Sequence, residues 1–165
     1  MGRPPNALVG VGFAAQGWDL KTPGYKRLPA SFDPKVDFIF SGIGEDEMIG
    51  DFGLVMSGAA GDELDRVDFD LGTPAQTIRL ATSQGMHSAY YLMTHEDQLV
   101  SMPTINGTNN ENVRADMVYF ETQKGGGVFS VGSINWLGSL SHNDYDNNVS
   151  RITENVLREF TRSSE

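Results

Sequence analysis

The segment SGAAGDELDR, residues 57–66, places small residues directly before a run of carboxylates. A Walker loop is excluded because no Gly-Lys-Ser or Gly-Lys-Thr follows the glycines, and the neighbouring anionic side chains would repel a phosphate. A helix-loop-helix calcium loop is excluded because its alternating oxygen ligands and closing Glu are missing. Two interpretations stay open. The segment is either a turn whose carboxylates cap backbone groups or pair with Arg66, or a turn that holds Glu63 at a cavity as a general acid or base.

The other residues that could do chemistry are scattered along the chain. His87, His95 and His142 lack the i, i+4 spacing of a helical metal pair, so the sequence disfavours a zinc site. His142 is the candidate catalytic histidine, because it lies in a polar loop between a predicted strand and a predicted helix, where functional residues are common. The acidic run at residues 45–51 is interpreted as a solvated surface, with a metal site as the less favoured alternative.

The composition excludes several classes of protein. No cysteine occurs among the 165 residues, so a thiolate zinc site and a cysteine nucleophile are excluded. No Gly-x-Ser-x-Gly elbow supplies a serine nucleophile. The net charge of -10 disfavours nucleic acid as a partner, because it repels a phosphate backbone. No apolar run approaches the roughly 20 residues that span a bilayer, and no signal peptide is evident, so we expect a cytoplasmic protein without a membrane segment.

The elements that must position these residues are clearest in the last third of the chain. Residues 115–122 and 127–134 are apolar or alternating runs joined by glycines, which predicts a β-hairpin. From Val149 to Phe160 the apolar residues recur at helical spacing, which predicts an amphipathic helix capped by Asp146 or Asn147. The chain therefore ends in a hairpin and a helix.

The first two thirds are predicted from shorter signals. Residues 36–43 and 77–83 are predicted to form strands, residues 7–15 a buried strand or an extended segment, and the proline-containing residues 19–35 an ordered loop. Strands interleaved with helical segments indicate an α/β protein with a mixed sheet. At this length we expect residues 1–165 to form a single domain.

Two long segments, residues 27–66 and 125–160, resemble the C-terminal part of the large (beta) subunits of N,N-dimethylformamidases, and the resemblance covers most of the chain. It implies an incomplete layer of the class I glutamine amidotransferase-like (flavodoxin-like) fold. It also implies a hydrolase that cleaves N-substituted formamides, such as N,N-dimethylformamide, to formate and an amine. In this family a mononuclear iron is held by two tyrosines and a glutamate, and the large subunit assembles with a small helical subunit.

The resemblance implies a role for one residue above all. Glu63 matches the glutamate that lies beside the iron without binding it, and the iron ligands are expected upstream, so no residue here is assigned to the metal. Because no thiolate is available, a metal-activated water is the expected nucleophile, with Glu63 taking its proton and passing it to the leaving amine. Phe129, Asn135 and Trp136 are the expected walls of the substrate pocket.

The leading hypothesis is therefore the C-terminal part of an amide hydrolase that is inactive alone and works with the upstream part of the large subunit and a small subunit, as an oligomer. The alternative is a non-catalytic amidotransferase-fold module used for assembly. A third hypothesis is a relative that acts on sugars, although Trp18 and Trp136 form no obvious stacking platform.

Overall fold

Two antiparallel sheets organise the part of the chain that the computed structural model describes, residues 4–18, 21–94 and 100–162. Eight strands occur in these ranges: β1 (Gly12–Gly17), β2 (Lys26–Arg27), β3 (Asp62–Arg66), β4 (Ile78–Ser83), β5 (Tyr90–Thr94), β6 (Val100–Asn106), β7 (Ala115–Glu121) and β8 (Gly127–Ser130). The first sheet has the order β3-β1-β5-β6, and the second has the order β2-β4-β7-β8.

Helices are few and mostly short. They are α1 (Asn6–Val9), α2 (Trp136–Ser139) and α3 (Asn148–Phe160), with 3₁₀ turns at Pro29–Phe32, Asp37–Phe40 and His142–Tyr145. None of the helices within the described ranges is long and apolar enough to cross a membrane.

The expected mixed α/β layer of the glutamine amidotransferase (flavodoxin-like) type is wrong. The strands pair antiparallel in both sheets. Parallel pairs need a crossover of a dozen or more residues, usually a helix. In the described ranges, the one helix of that length is α3, with 13 residues, and it follows the last strand. The described ranges therefore contain no helix placed to carry a crossover between the strands.

The C-terminal hairpin and helix are confirmed. β7 and β8 pair antiparallel, with Glu121 opposite Gly127 beside the glycine-rich connection. α3 begins directly after Asn147, whose side-chain oxygen accepts a hydrogen bond from the Ser150 backbone N–H at 2.9 Å. This contact satisfies one of the free N–H groups of the first helical turn. The predicted strand at residues 77–83 is also confirmed, as β4.

Other predictions of secondary structure are wrong in part or in full. Residues 7–15, predicted as a buried strand or an extended segment, begin in the helix α1 and only then enter β1. Residues 36–43, predicted as a strand, contain the 3₁₀ turn Asp37–Phe40. Two carbonyls of this segment accept hydrogen bonds from a helix instead of a neighbouring strand. Asn155 Nδ2 of α3 donates to the Ile39 carbonyl at 3.1 Å and to the Ser41 carbonyl at 2.9 Å. The apolar residues of this segment are thus buried against a helix. Residues 57–66, interpreted as a turn, contain β3 in their second half.

One apolar core joins the two sheets and α3. The first sheet contributes Ala15 and Leu64, the second contributes Leu80 and Met117, and α3 contributes Ile152, all fully buried. The burial of these side chains supplies the main favourable term for the packing of the sheets against each other and against the helix. β3 is held at the sheet edge by this core.

A buried carboxylate also fixes the end of β3. Asp116 of β7 is fully buried and accepts hydrogen bonds from the Val67 backbone N–H at 3.0 Å and from Thr82 Oγ1 at 2.9 Å. Arg114 Nε lies 3.0 Å from its second oxygen and balances its charge. Because buried charges need such partners, this network ties the residue that follows β3 to the second sheet.

Candidate functional site

The small residues at 58–61 let the backbone pass through the core directly before β3. Ala59 and Ala60 are fully buried. A Cβ atom on Gly58 would collide with Thr22 Oγ1, and one on Gly61 would lie 2.5 Å from Asn135 Nδ2. Larger side chains would therefore displace buried neighbours at both glycines. The SGAAG half of the segment is thus packed against Thr22 and Asn135 at the two places where a side chain on Gly58 or Gly61 would project.

The transition into β3 is held by a serine side chain and a turn. Gly61 donates its N–H to Ser133 Oγ at 2.8 Å, and the same hydroxyl lies 2.8 Å from the Gly61 carbonyl, to which it can donate. Asp62 then adopts a φ of 60°, in the left-handed region that L residues rarely occupy. These features set the direction in which the strand begins.

The strand places its Glu63 and Asp65 carboxylates on the face opposite Leu64. Leu64 is fully buried opposite Ala15 of β1, and successive side chains of a strand point to opposite faces. Glu63 and Asp65 therefore share the other face, where Gln16 lies opposite Glu63. Glu63 is half-buried, and its carboxylate accepts no hydrogen bond from the described residues. The arrangement leaves the Glu63 carboxylate on a backbone fixed by the sheet, without a hydrogen-bond partner among the described residues.

Asp65, two residues after Glu63 on this face, has a perturbed carboxyl group. Burial, and then the nearby charge of Glu63, raise the pKa of Asp65 from 3.8 to about 6. Its backbone N–H donates to the Gly132 carbonyl at 2.8 Å, which anchors this part of the strand beside the segment that follows β8. Its carboxylate has no hydrogen bond or ion pair with the described residues.

A groove of about 500 Å³ begins at Asp65 and runs along the segment after β8 and along α3. Two of the predicted pocket residues, Phe129 and Trp136, line this groove. Trp136 is buried and fixed, because its Nε1 donates to Thr153 Oγ1 at 3.0 Å. Glu63 is not among the lining residues, so the structure brings these two aromatic side chains to Asp65 rather than to Glu63.

Asn135, the third predicted pocket residue, lies elsewhere. It is buried, with its amide nitrogen against Gly61 and 3.5 Å from the Val55 carbonyl. It also lies outside the groove lining. The side chain therefore supports the loop before β3.

His142 lies on the surface, in the 3₁₀ turn before α3. Its ring stacks on Phe52, with the ring centroids 4.2 Å apart and the planes at 19°. The next residues, Asn143, Asp144 and Tyr145, all have positive φ, at 50°, 53° and 69°. No hydrogen bond joins His142 to Glu63 among the described residues, so the structure does not bring these two candidates together.

The described residues do not fit the iron site that the family resemblance implies. They contain no group of three or more His, Asp or Glu side chains that could hold a metal. Two buried tyrosines are engaged, because Tyr25 donates its hydroxyl to the Val131 carbonyl and Tyr90 donates to the sulfur of Met56. In the acidic run at residues 45–51, Glu47 accepts from the Gly44 N–H at 2.9 Å. His95 lies outside the described residues.

Asp65 was not predicted as a site residue, because the interpretation of residues 57–66 as a turn gave every carboxylate except Glu63 a structural role. The available signal was the i, i+2 spacing from Glu63, which places two side chains on one face of a strand. That signal was hidden because the segment was interpreted as a turn.

Comparison with known proteins gives the family. The family described as "N,N-dimethylformamidase beta subunit-like, C-terminal" matches residues 1–147. The N,N-dimethylformamidase beta subunit of Paracoccus aminophilus is 48% identical over 161 residues, which cover 97% of this chain and 21% of the relative. The beta subunit from Alcaligenes sp is 47% identical over the same extent. The chain thus spans about a fifth of the length of these relatives, and it belongs to the N,N-dimethylformamidase beta-subunit family, matching its C-terminal region.

Proposed function

We propose that this chain is the C-terminal part of a beta subunit that hydrolyses N-substituted formamides, N,N-dimethylformamide among them, to formate and an amine. Support comes from the family match and from two relatives whose names state that activity. Because the chain spans 21% of those relatives, the remaining parts of the active site would come from the rest of the subunit and its partner subunits. An iron, as the family resemblance implies, would be held there.

Glu63 is the residue of this chain that we assign to the reaction. In hydrolysis, the oxygen of a water molecule forms a bond to the formyl carbon, and the C–N bond breaks. The Glu63 carboxylate would accept a proton from that water and then give it to the departing amine nitrogen, since an unprotonated amide anion is a poor leaving group. The carboxylate returns to its ionised form, and the second proton of the water leaves with formic acid. Formic acid then ionises and the released amine takes up that proton, so the products are formate and the ammonium form of the amine.

The observation that carries this proposal is the state of the Glu63 side chain. It is half-buried on β3, with Leu64 fixed in the core beside it, and the described residues donate no hydrogen bond to it. A carboxylate used in proton transfer needs free lone pairs and a backbone that holds it in place. The Gly61 hydrogen bond to Ser133 fixes the backbone directly before β3.

The test is Glu63→Gln in the full-length beta subunit assembled with its partner subunits. The substitution keeps the shape of the side chain and removes its ability to accept and return a proton. We expect kcat for formate release to fall by roughly 10²–10⁴-fold, the range for loss of a general acid or base. Glu111→Gln is the matched control, because Glu111 is exposed and its carboxylate makes no hydrogen bond to the described residues.

Thermal unfolding followed by circular dichroism separates loss of function from loss of fold. Both variants should keep the wild-type Tm within a few degrees. Unchanged turnover in Glu63→Gln would overturn the catalytic assignment, even if the family membership stands.

A second candidate function is a non-catalytic assembly module. The exposed apolar side chains of Ile134, Leu157 and Phe160 favour it, because they border the groove on one face. Under this hypothesis Glu63→Gln is silent, whereas Leu157→Asp weakens assembly of the subunits, as measured by size-exclusion chromatography with light scattering.

A further inference from the structure

Large apolar side chains line the groove beside Asp65 and are only partly covered by the described residues. Ile134, Leu157 and Phe160 line it and remain 51%, 58% and 45% exposed. Contiguous exposed apolar surface of this kind marks interaction sites. The groove continues to the buried Trp136, so its floor is apolar as well.

The apolar stripe of α3 is wider than the core that covers it. Val149, Ile152 and Val156 are buried, whereas Leu157 and Phe160, which belong to the same stripe, face the groove. An amphipathic helix normally buries its whole apolar stripe. The uncovered part therefore indicates that another segment packs here.

The charge in the groove specifies the chemistry of that segment. Asp65 borders the apolar walls, and no described residue forms a hydrogen bond or ion pair with its carboxylate. Two cations of α3 and its C-terminus are already engaged, Arg158 with Glu154 at 2.7 Å and Arg162 with Glu159 at 2.9 Å. A half-buried carboxylate without a counter-charge calls for a cation from outside.

We propose that the groove docks a segment from the remaining four-fifths of the beta-subunit polypeptide, with apolar residues on Ile134, Leu157 and Phe160 and a Lys or Arg paired with Asp65. The relatives have this additional length, because the matched region is 21% of each. A second copy of this chain fits less well, because its own groove would present the same unpaired Asp65, and each copy carries a net charge of -10. The proposal rests on the family match and is independent of the role of Glu63.

The test is site-specific photo-crosslinking in the full-length beta subunit that carries this chain as its C-terminal part, assembled with its partner subunits. p-Benzoylphenylalanine replaces Ile134 in one preparation and Phe69 in the control. Phe69 is exposed in the connection between β3 and β4 and lies outside the groove lining. Crosslinked peptides are identified by mass spectrometry.

We expect position 134 to crosslink within its own polypeptide, to a peptide outside the C-terminal fifth that contains Lys or Arg, and position 69 not to reach that peptide. Asp65→Asn should lower the crosslink yield several-fold, while Asp65→Glu should retain it. Crosslinks from position 134 to a second beta subunit or to a different subunit, or none at all, would overturn the proposed occupant. An unchanged yield in Asp65→Asn would overturn the proposed ion pair.

Discussion

Asp65 offers a sharp test of the structure, because its ionised carboxylate is held in an apolar setting beside Glu63. Replacing it by Asn keeps the size of the side chain and removes the charge. The pKa of Asp65 is raised from 3.8 to about 6, mainly by burial and then by Glu63. Between pH 3.8 and about pH 6, the folded chain therefore holds the proton of the Asp65 carboxyl group more tightly than the unfolded chain does.

The sign and size of the effect follow from linkage. Stability contributed by this group falls as the pH rises from about 4 to about 6, because the folded state resists ionisation in that window. Raising the pKa of Asp65 from 3.8 to about 6 corresponds to about 3 kcal/mol of extra free energy to ionise this group in the folded chain, at about 1.36 kcal/mol per pH unit. Asp65→Asn should therefore raise the free energy of unfolding by up to about 3 kcal/mol at pH 7.5 and change it little at pH 4.

The assay is urea unfolding of the 165-residue chain at both pH values, followed by circular dichroism. Asp70→Asn is the matched control, because Asp70 is exposed, and a surface substitution of this kind stays within about 0.5 kcal/mol. A neutral or destabilising Asp65→Asn at pH 7.5 would refute the description of this carboxylate as desolvated and unpaired. In the assembled subunit, a docked cation should reduce or reverse the gain.

Three further predictions concern the supports of the site, each measured as the free energy of unfolding in urea at pH 7.5. Asp116→Ala should cost about 3–5 kcal/mol, because it leaves the guanidinium of Arg114 without its buried partner, and a cost under about 1 kcal/mol would contradict that network. Asn147→Ala should cost about 1 kcal/mol through loss of the α3 cap, and no change would mean that the cap is not formed. Gly61→Ala should cost about 1–3 kcal/mol, since the added methyl meets Asn135 Nδ2 at 2.5 Å, and a stabilising effect would show that the loop has room.

The C-terminal hairpin and helix could be predicted from the sequence because their signals are local. Glycines connect the two runs that become β7 and β8, and Asn147 stands where the first turn of α3 needs an acceptor. Such signals depend on neighbouring residues alone. They hold whatever the rest of the fold does.

The sheets could not be predicted because their pairing depends on distant residues. β3 contains one apolar residue, Leu64, among four charged ones, so its sequence gives little sign of a strand. It is a strand because β1 pairs with it and because the core accepts Leu64. The mixed α/β expectation failed for the same reason, since strand runs alone do not distinguish antiparallel from parallel pairing. The amidotransferase-like layer, which the family resemblance implied, is excluded by the antiparallel pairing of the strands.

The sequence indicated which types of residue could form the candidate site, but not which of them lie close together in the fold. Phe129 and Trp136 do share one groove, but the carboxylate that joins them is Asp65. Asn135 is instead buried against Gly61, and His142 stacks on Phe52 at the surface. Which side chains meet was decided by the register of β3 and by the path of the chain after β8.

The proposed proton transfer by Glu63 is best examined through kcat for formate release by Glu63→Gln in the assembled enzyme. At saturating N,N-dimethylformamide we expect a fall of roughly 10²–10⁴-fold with the subunits still assembled and the Tm retained. A kcat equal to that of the wild type and of Glu111→Gln would contradict it.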